Sequence, residues 1–257
     1  MSHISFSEMK IWNECSYRHK LEYLEGHRSF KGNEYTAFGT AIHDFCENIL
    51  VKEIDGNHEV YFTSKFEDRI KTLLKDEVDL DGKLLRQMEL QGFDLLPEIL
   101  PGINDYFEDG FEVLKTEEEL YENMENSDYK FKGFIDLVVK TPDGKIHIID
   151  WKTCSWGWNR KRRSEPMTTY QLTLYKNFYA KKHGIDPDKI ETHFALLKRT
   201  AKKGSKVEIF RVTSGPRKTS SAMALLNRAI QNIENKTSIK NRLSCKYCSF
   251  YKTEHCT

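Results

Sequence analysis

No stretch of this 257-residue sequence approaches the roughly 18 uninterrupted apolar residues that a membrane span requires. The opening residues Met1-Ser2-His3-Ile4-Ser5 also lack the basic-then-apolar pattern of an export signal, so a cytoplasmic protein is expected. Without export, the six cysteines (Cys15, Cys46, Cys154, Cys245, Cys248 and Cys256) argue against a disulfide framework, and metal or cluster ligation is the better first reading. Internal repeats and low-complexity segments are absent too, which excludes a repeat architecture. Net charge is nearly absent at +1, but the balance hides an asymmetry. Residues 1–128 hold 13 basic and 29 acidic side chains, residues 129–257 hold 27 and 10, and the halves therefore carry −16 and +17. A strongly basic region is what a polyanionic partner requires, unless the two halves interleave in space and cancel.

What is present suffices for a core. Hydrophobic residues make up 39% and charged residues 31%, with a mean hydropathy of −0.65. Ser5 and Glu8 form a capping-box pattern that opens a first helix, expected to run to about Leu24 and end near Gly26. Phe38, Ala41, Ile42, Phe45, Cys46, Ile49 and Leu50, spaced by threes and fours, give the clearest helix. Helical patterns follow over 64–78, opened by a second box from Ser64 to Glu67, and over 83–108, the latter expected to break at Pro97 and Pro101. From Phe111 the period changes to two, predicting strands over 111–122, 129–140 and 145–152, the last two joined by Thr141-Pro142-Asp143-Gly144 as a hairpin. A basic loop over 153–165 leads to a helix over 166–183 stopped by Gly184, then strands over 190–199 and 206–212, a helix near 216–235, and a Cys-rich tail. The fold class is α/β: 1–110 a mainly helical elaboration, 111–235 the core, and 236–257 the tail, all in one domain.

The chemistry concentrates in the hairpin. Asp136 interrupts the apolar run Phe134-Ile135-x-Leu137-Val138, and Asp150 interrupts Ile148-Ile149-x-Trp151. Buried carboxylates are costly unless paired or metal-bound. Asp150 and Lys152, two apart on a strand, share a face. If the register brings Asp136 beside them, two carboxylates and an ammonium converge, an arrangement suited to metal-assisted phosphodiester hydrolysis. Carboxylate oxygens are what Mg²⁺ and Mn²⁺ prefer, and Lys152 would orient or deprotonate the attacking water. A structural salt bridge within the sheet is the other reading of these residues.

Asp136 followed by Asp150-x-Lys152 resembles the signature of the PD-(D/E)XK nuclease superfamily. Gln171-Leu-Thr-Leu-Tyr175 resembles the Gln-x-x-x-Tyr motif of its RecB-like exonuclease branch, and Gly39-Thr-Ala-Ile-His43 the Gly-x-x-x-His element upstream. The resemblance implies a restriction-endonuclease-like mixed sheet flanked by helices. It implies His43, Asp136 and Asp150 as metal ligands, joined by the Trp151 carbonyl, with Lys152 as the catalytic lysine and Gln171 and Tyr175 beside the site. A strand glutamate often completes such a site; Glu117, Glu118 and Glu119 all qualify, and the sequence does not choose among them.

Cys245-x-x-Cys248, seven residues, then Cys256 is ligand spacing, with Cys15 on the first helix as the fourth candidate. Cys46 falls on an apolar helix stripe, Cys154 follows the Asp-x-Lys strand, and His255 is a further candidate in the tail. The distribution is similar to that of AddB-type and CRISPR-adaptation nucleases, where four cysteines hold a [4Fe–4S] cluster, although the last spacing is longer here. Such a cluster would staple segments about 230 residues apart rather than catalyse. Structural Zn²⁺ on the same thiolates and free buried thiols are the alternatives.

Trp156-Gly-Trp158-Asn-Arg160-Lys161-Arg162-Arg163 follows the Asp-x-Lys strand directly, and rings with cations suit bases with phosphates. Lys198, Arg199, Lys202, Lys203 and Lys206 form a second basic group near Gly204, readable equally as a solvated loop. The expectation is a Mg²⁺- or Mn²⁺-dependent DNA nuclease acting on single strands or duplex ends. The alternatives are a DNA-binding scaffold subunit without turnover and a restriction-type or structure-specific endonuclease. DNA is the expected partner, with any helicase or recombination protein a separate chain. The oligomeric state is not set by the sequence.

Overall fold

The computed structural model describes residues 2–27, 30–51, 54, 56–125 and 127–257, apart from the side chain of Tyr247. The period-two segments form one mixed sheet. Strand β1 (His3–Ser5) pairs parallel with β3 (Lys130–Lys140), and β2 (Glu112–Asn123) pairs antiparallel along the whole of β3. Strand β4 (Ile146–Cys154) pairs antiparallel with β3 only from Leu137 to Lys140, then runs parallel with β5 (Ile190–Lys198), which pairs antiparallel with β6 (Val207–Val212). Since β2 occupies one edge of β3, β1 and β4 share the other. β1 takes residues 130–132 and β4 takes 137–140, so 133–136 are left without a strand partner on that edge. The sheet forks there.

Helices cover both faces. Helices α3 (Glu34–Leu50), α4 (His58–Lys75) and α5 (Gly82–Tyr106) pack on one side through Phe38, Phe62, Leu95 and Ile99, against Leu137, Ile149 and Trp151 of the sheet. On the other side α1 (Phe6–Glu14), α7 (Pro166–His183) and α8 (Pro216–Glu234) bury Met9, Leu172, Phe178 and Leu226 against Phe131, Ile148 and Phe194. The short helices α2 (Ser16–His19), continued as a π-turn to Leu24, and α6 (Arg160–Ser164) complete the set. The fold is α/β, a mixed central sheet flanked by helices, as the sequence predicts. Among the described residues no helix is long and apolar enough to cross a membrane.

Several boundaries differ from expectation for identifiable reasons. The first helix breaks at Cys15, whose extended backbone (φ −163°, ψ 107°) turns its side chain toward the tail, and the carbonyl of Glu14 accepts from Asn241 Nδ2 at 2.8 Å and Ser244 Oγ at 2.7 Å. Only half of the first capping box forms: Ser5 caps Glu8 N–H, while the Glu8 carboxylate instead meets buried His19 Nε2 at 2.8 Å. Helix α4 starts at His58 because Asn57 Oδ1 caps it, not at Ser64. Helix α5 runs unbroken through Pro97 and Pro101. Both prolines lie on its exposed side, where freed carbonyls reach water, while Leu95, Leu96, Ile99 and Ile103 hold the opposite stripe in the core. Helix α7 ends as expected, with Gly184 in the left-handed region at φ 62°.

Candidate active site at the fork of the sheet

The fork gathers the polar residues of the hairpin. Phe131 and Ile135 of β3 face α7, whereas Leu137 and Val139 face α3, so the alternation inverts across Asp136. Glu117 of β2, opposite that point, takes a positive φ of 48°. Released from pairing, Asp136 Oδ2 accepts the Trp151 N–H at 2.7 Å. In a strand a residue's N–H and C=O share an edge, so the Trp151 carbonyl also points into the fork.

Asp150 is buried, 2% exposed, and Lys152 Nζ lies 2.6 Å from its Oδ2. That oxygen nevertheless receives no well-directed hydrogen bond among the described residues. Burial, reinforced by Asp136 and opposed by Lys152, pushes the Asp150 pKa up to about 6. Burial alone would lower that of Lys152, yet Asp150 and then Asp136 outweigh it and raise it. As the side chains stand, Lys152 is a firmly held ammonium, suited to orienting an oxygen rather than to taking a proton.

His43 enters from α3, with Nδ1 3.6 Å from Asp136 Oδ2. Burial opposes its protonation, but Asp136 and then Asp150 outweigh it and shift its pKa upward. Gly39 lies one turn earlier on the same face, and a Cβ there would stand 3.2 Å from Thr153 Oγ1. The glycine thus lets α3 approach the end of β4 closely enough to deliver His43.

The glutamate left open by the sequence is resolved by geometry. Glu118 turns to the other face and pairs with Lys182 at 2.7 Å and His183 at 2.9 Å. Glu119 is exposed. Glu117 stays at the fork: though open to solvent on one side, partial burial of its carboxyl and then Asp136 and Glu47 push its pKa up to about 7. The signal in the sequence was Leu120, whose apolar side chain marks the buried face and puts Glu118 on it and Glu117 off it.

Tyr175 and Gln171 line the α7 side, joined by a bond from Gln171 Nε2 to Tyr175 Oη at 3.2 Å. Tyr175 is buried, and burial followed by Asp150 raises its pKa, keeping the hydroxyl neutral. Its ring crosses β3 at Gly133, where a Cβ would come within 2.7 Å of Cε1, so no larger residue fits. A groove of about 560 Å³ leads away from Lys152 past Gln171, Arg162, Lys10 and Arg18. Sequence reading missed Lys10 and Arg18, although Ser7, Lys10, Ile11 and Glu14 recur at helical spacing on the groove side of α1.

The basic segment divides on folding. Trp156 is 74% exposed, and Arg160, Lys161 and Arg162 are exposed as well. Trp158, expected to stack on bases, is instead buried against Phe194 and Phe210, with the Arg162 guanidinium over its ring at 4.5 Å. Its indole fills the core because apolar area is worth more there than at the rim. Arg163 donates to the Trp158 carbonyl at 2.7 Å and pairs with Glu208, so it clamps the loop to β6 rather than offering a free cation. The second basic group is largely structural too. Arg199 and Lys206 are buried, Arg199 bonds Gln91 and Ser155, Lys198 pairs with Glu208, and only Lys202 and Lys203 stand out into solvent.

At the far end of the groove Cys15, Cys245, Cys248 and Cys256 line one small cavity together with Leu21 and Phe250. The Cys15 sulfur receives the Asn241 N–H at 3.3 Å, and Tyr17 Oη donates to the His255 carbonyl at 3.1 Å, fixing the tail to the first helix. Among the described residues, no three of these sulfurs lie within 4.8 Å of one another. A zinc ion with bonds of about 2.3 Å would draw them to about 3.8 Å, whereas a cubane cluster holds its ligands wider apart. The His255 ring turns away to His27, and Cys46 lies in the core as its helix stripe predicts.

A forked mixed sheet carrying Asp, Asp-x-Lys and a helix-borne histidine at its opening defines a nuclease class. The chain belongs to the PD-(D/E)XK nuclease superfamily, whose family model matches residues 3–253. Its fold resembles that of a candidate exonuclease from Eubacterium rectale, with a TM-score of 0.62 and 12% identity over 98% of this chain and 89% of that one. The structure of SSO0001 matches at a TM-score of 0.38 and 14% identity, over 95% of this chain and 93% of that one. No curated protein matches the sequence.

Proposed function

We propose that this protein is a Mg²⁺- or Mn²⁺-dependent DNA nuclease of the RecB-like kind, acting as an exonuclease on single strands or duplex ends. The observation that carries this reading is the convergence of Glu117, Asp136, Asp150, His43 and Lys152 at the fork, with the buried Asp150 carboxylate paired to the Lys152 ammonium. Carboxylates, an imidazole and the Trp151 carbonyl are a donor set that fits an oxygen-loving divalent ion. When bound, such an ion polarises a phosphoryl oxygen and lowers the pKa of a water. Lys152 holds its charge where the phosphate must sit and orients the attacking oxygen. Tyr175 and Gln171 present a neutral hydroxyl and amide to the substrate, and Arg162, Lys10 and Arg18 meet backbone phosphates along the groove. Trp156 offers an exposed ring for base stacking.

Incubating the wild type and Lys152→Ala with end-labelled single- and double-stranded DNA in Mn²⁺ tests the assignment. Mononucleotide release or laddering that is lost in the variant is expected; equal products from both would remove it. The scaffold reading gains only if neither protein cleaves while both bind.

Two further outcomes follow. Arg160→Ala with Arg162→Ala should weaken DNA binding and reduce the salt slope by about one to two phosphate contacts, whereas Arg163→Ala should mainly loosen the loop. Fluorescence anisotropy across a salt series separates them. The second outcome concerns pH. Asp150 and Glu117 have folded pKa values of about 6 and about 7, above the ordinary carboxylate range. The folded chain therefore binds more protons than the unfolded one between pH ~4 and ~7, and stability falls as pH rises across that window. A divalent ion on these carboxylates relieves that cost, so Mn²⁺ should raise the Tm more near pH 8 than near pH 5; an equal shift at both would place the ion elsewhere.

The four cysteines are proposed to hold a [4Fe–4S] cluster, a reading supported by the cavity they share. Absorption near 400 nm after anaerobic purification is the readout, and stoichiometric zinc in a colourless protein would favour the alternative. Residues 236–257 act with 1–110 and the core as one domain in this proposal.

A further inference from the structure

A second ligand set lies on the opposite face of β4. His147 and Asp150, three apart, point to different sides of the strand. The parallel register sets His147 beside Glu191 and Ile149 beside His193, so His147, Glu191 and His193 share the face covered by the end of α5. One ligand atom from each lies within 4.8 Å of the others. His147 and His193 are buried, 7% and 1% exposed, and His147 Nδ1 stands 3.0 Å from His193 Nε2. Two imidazole nitrogens on a tetrahedral zinc are about 3.3 Å apart, so the pair is nearly at ligand spacing.

The remaining ring nitrogens are already engaged. His147 Nε2 lies 3.0 Å from Thr141 Oγ1, and His193 Nδ1 lies 3.0 Å from Tyr106 Oη. With both N–H groups donated outward to these hydroxyls, both inner lone pairs face the same point, as metal-bound histidines require. Glu191 Oε1 takes Lys145 at 3.2 Å and Arg211 at 3.3 Å, leaving Oε2 for a ligand. A pocket of about 600 Å³ reaches His147 past Glu108, Asp109 and Asp143, three carboxylates that favour entry of a cation.

We propose that His147 Nδ1, His193 Nε2 and a Glu191 carboxylate oxygen bind one zinc-class divalent ion at a site separate from the fork. Two imidazoles and one carboxylate select Zn²⁺, Co²⁺ or Ni²⁺ over Mg²⁺, the reverse of the carboxylate-rich fork. The ion would tie the paired strands β4 and β5 together under the end of α5. The competing state is a plain hydrogen bond between two neutral imidazoles, which Thr141 and Tyr106 serve equally well.

Full-length chelator-stripped protein in excess Mg²⁺, which saturates oxygen-rich sites, is titrated with Zn²⁺, and the bound metal is examined by X-ray absorption. One zinc with imidazole nitrogen and oxygen neighbours is expected. His193→Gln should weaken its affinity more than about 100-fold, and Tyr106→Phe, which removes only an outer hydroxyl, by about 10- to 100-fold. Glu191→Gln and Tyr106→Phe keep side-chain size, so they carry the test if His193→Gln does not fold. A zinc shell of sulfur alone, or affinity unchanged in Tyr106→Phe and Glu191→Gln, would overturn the proposal and leave a hydrogen-bonded pair.

Discussion

Asp150→Ala is expected to abolish cleavage of end-labelled DNA in Mn²⁺ while DNA binding persists. Asp150 is the most deeply buried carboxylate at the fork, and its Oδ2 is the oxygen that Lys152 meets at 2.6 Å. Removing it takes away a proposed metal ligand and the partner of Lys152 together, whereas the groove cations proposed to meet DNA are untouched. Lys152→Ala leaves both aspartates and removes only the positioned charge, so its loss should be smaller, about 10²- to 10³-fold in rate. Single-turnover cleavage measures the rates, and anisotropy the binding. Cleavage retained by Asp150→Ala in a contaminant-free preparation would end the proposed mechanism. Equal losses in both variants would show that the lysine and the carboxylate act as one unit.

Cys15→Ser should bleach the protein near 400 nm and lower its thermal stability sharply. Cys15 sits where the first helix breaks, facing a tail bonded to it across 226 positions of sequence. Linking segments so far apart restricts the unfolded chain by about 5 kcal/mol in the loop-closure picture, a Tm change on the order of 10 °C for a chain of this size. Cys46→Ser, also buried but in the helical core, should leave the colour intact. Differential scanning calorimetry with a visible spectrum separates the two. A colourless wild type with an unchanged Tm in Cys15→Ser would reduce the tail to ordinary packing.

Elements with strong local signals were legible in the sequence. The hairpin at Thr141–Gly144, the stop at Gly184 and the stripe of α3 rest on turn chemistry and periodicity, which act within a few residues. The motif residues Asp136, Asp150, Lys152, His43, Gln171 and Tyr175 were likewise nameable, and the fold brings them to one opening. Continuity of α5 through two prolines was not legible, because the stripe packed on the sheet outweighs a local rule about missing donors. Nor was the fate of Trp158 and Arg163. Their composition reads as a binding loop, but burial against Phe194 and pairing with Glu208 depend on strands 35 or more positions away.

By itself the sequence determined the class of fold, the order of its longer strands and helices along the chain though not the short β1 or α6, and the residue types available for chemistry. It could do so because hydrophobic period, caps and turns are local properties, and because a charged residue inside an apolar strand is conspicuous. Tertiary structure alone decided that β1 and β4 share one edge of β3, so that the sheet opens at Asp136. It also decided that Glu117 rather than Glu119 faces the opening, and that His147 meets His193 on the reverse face. Each of these depends on strand register between distant segments, where a shift of one residue exchanges the two faces.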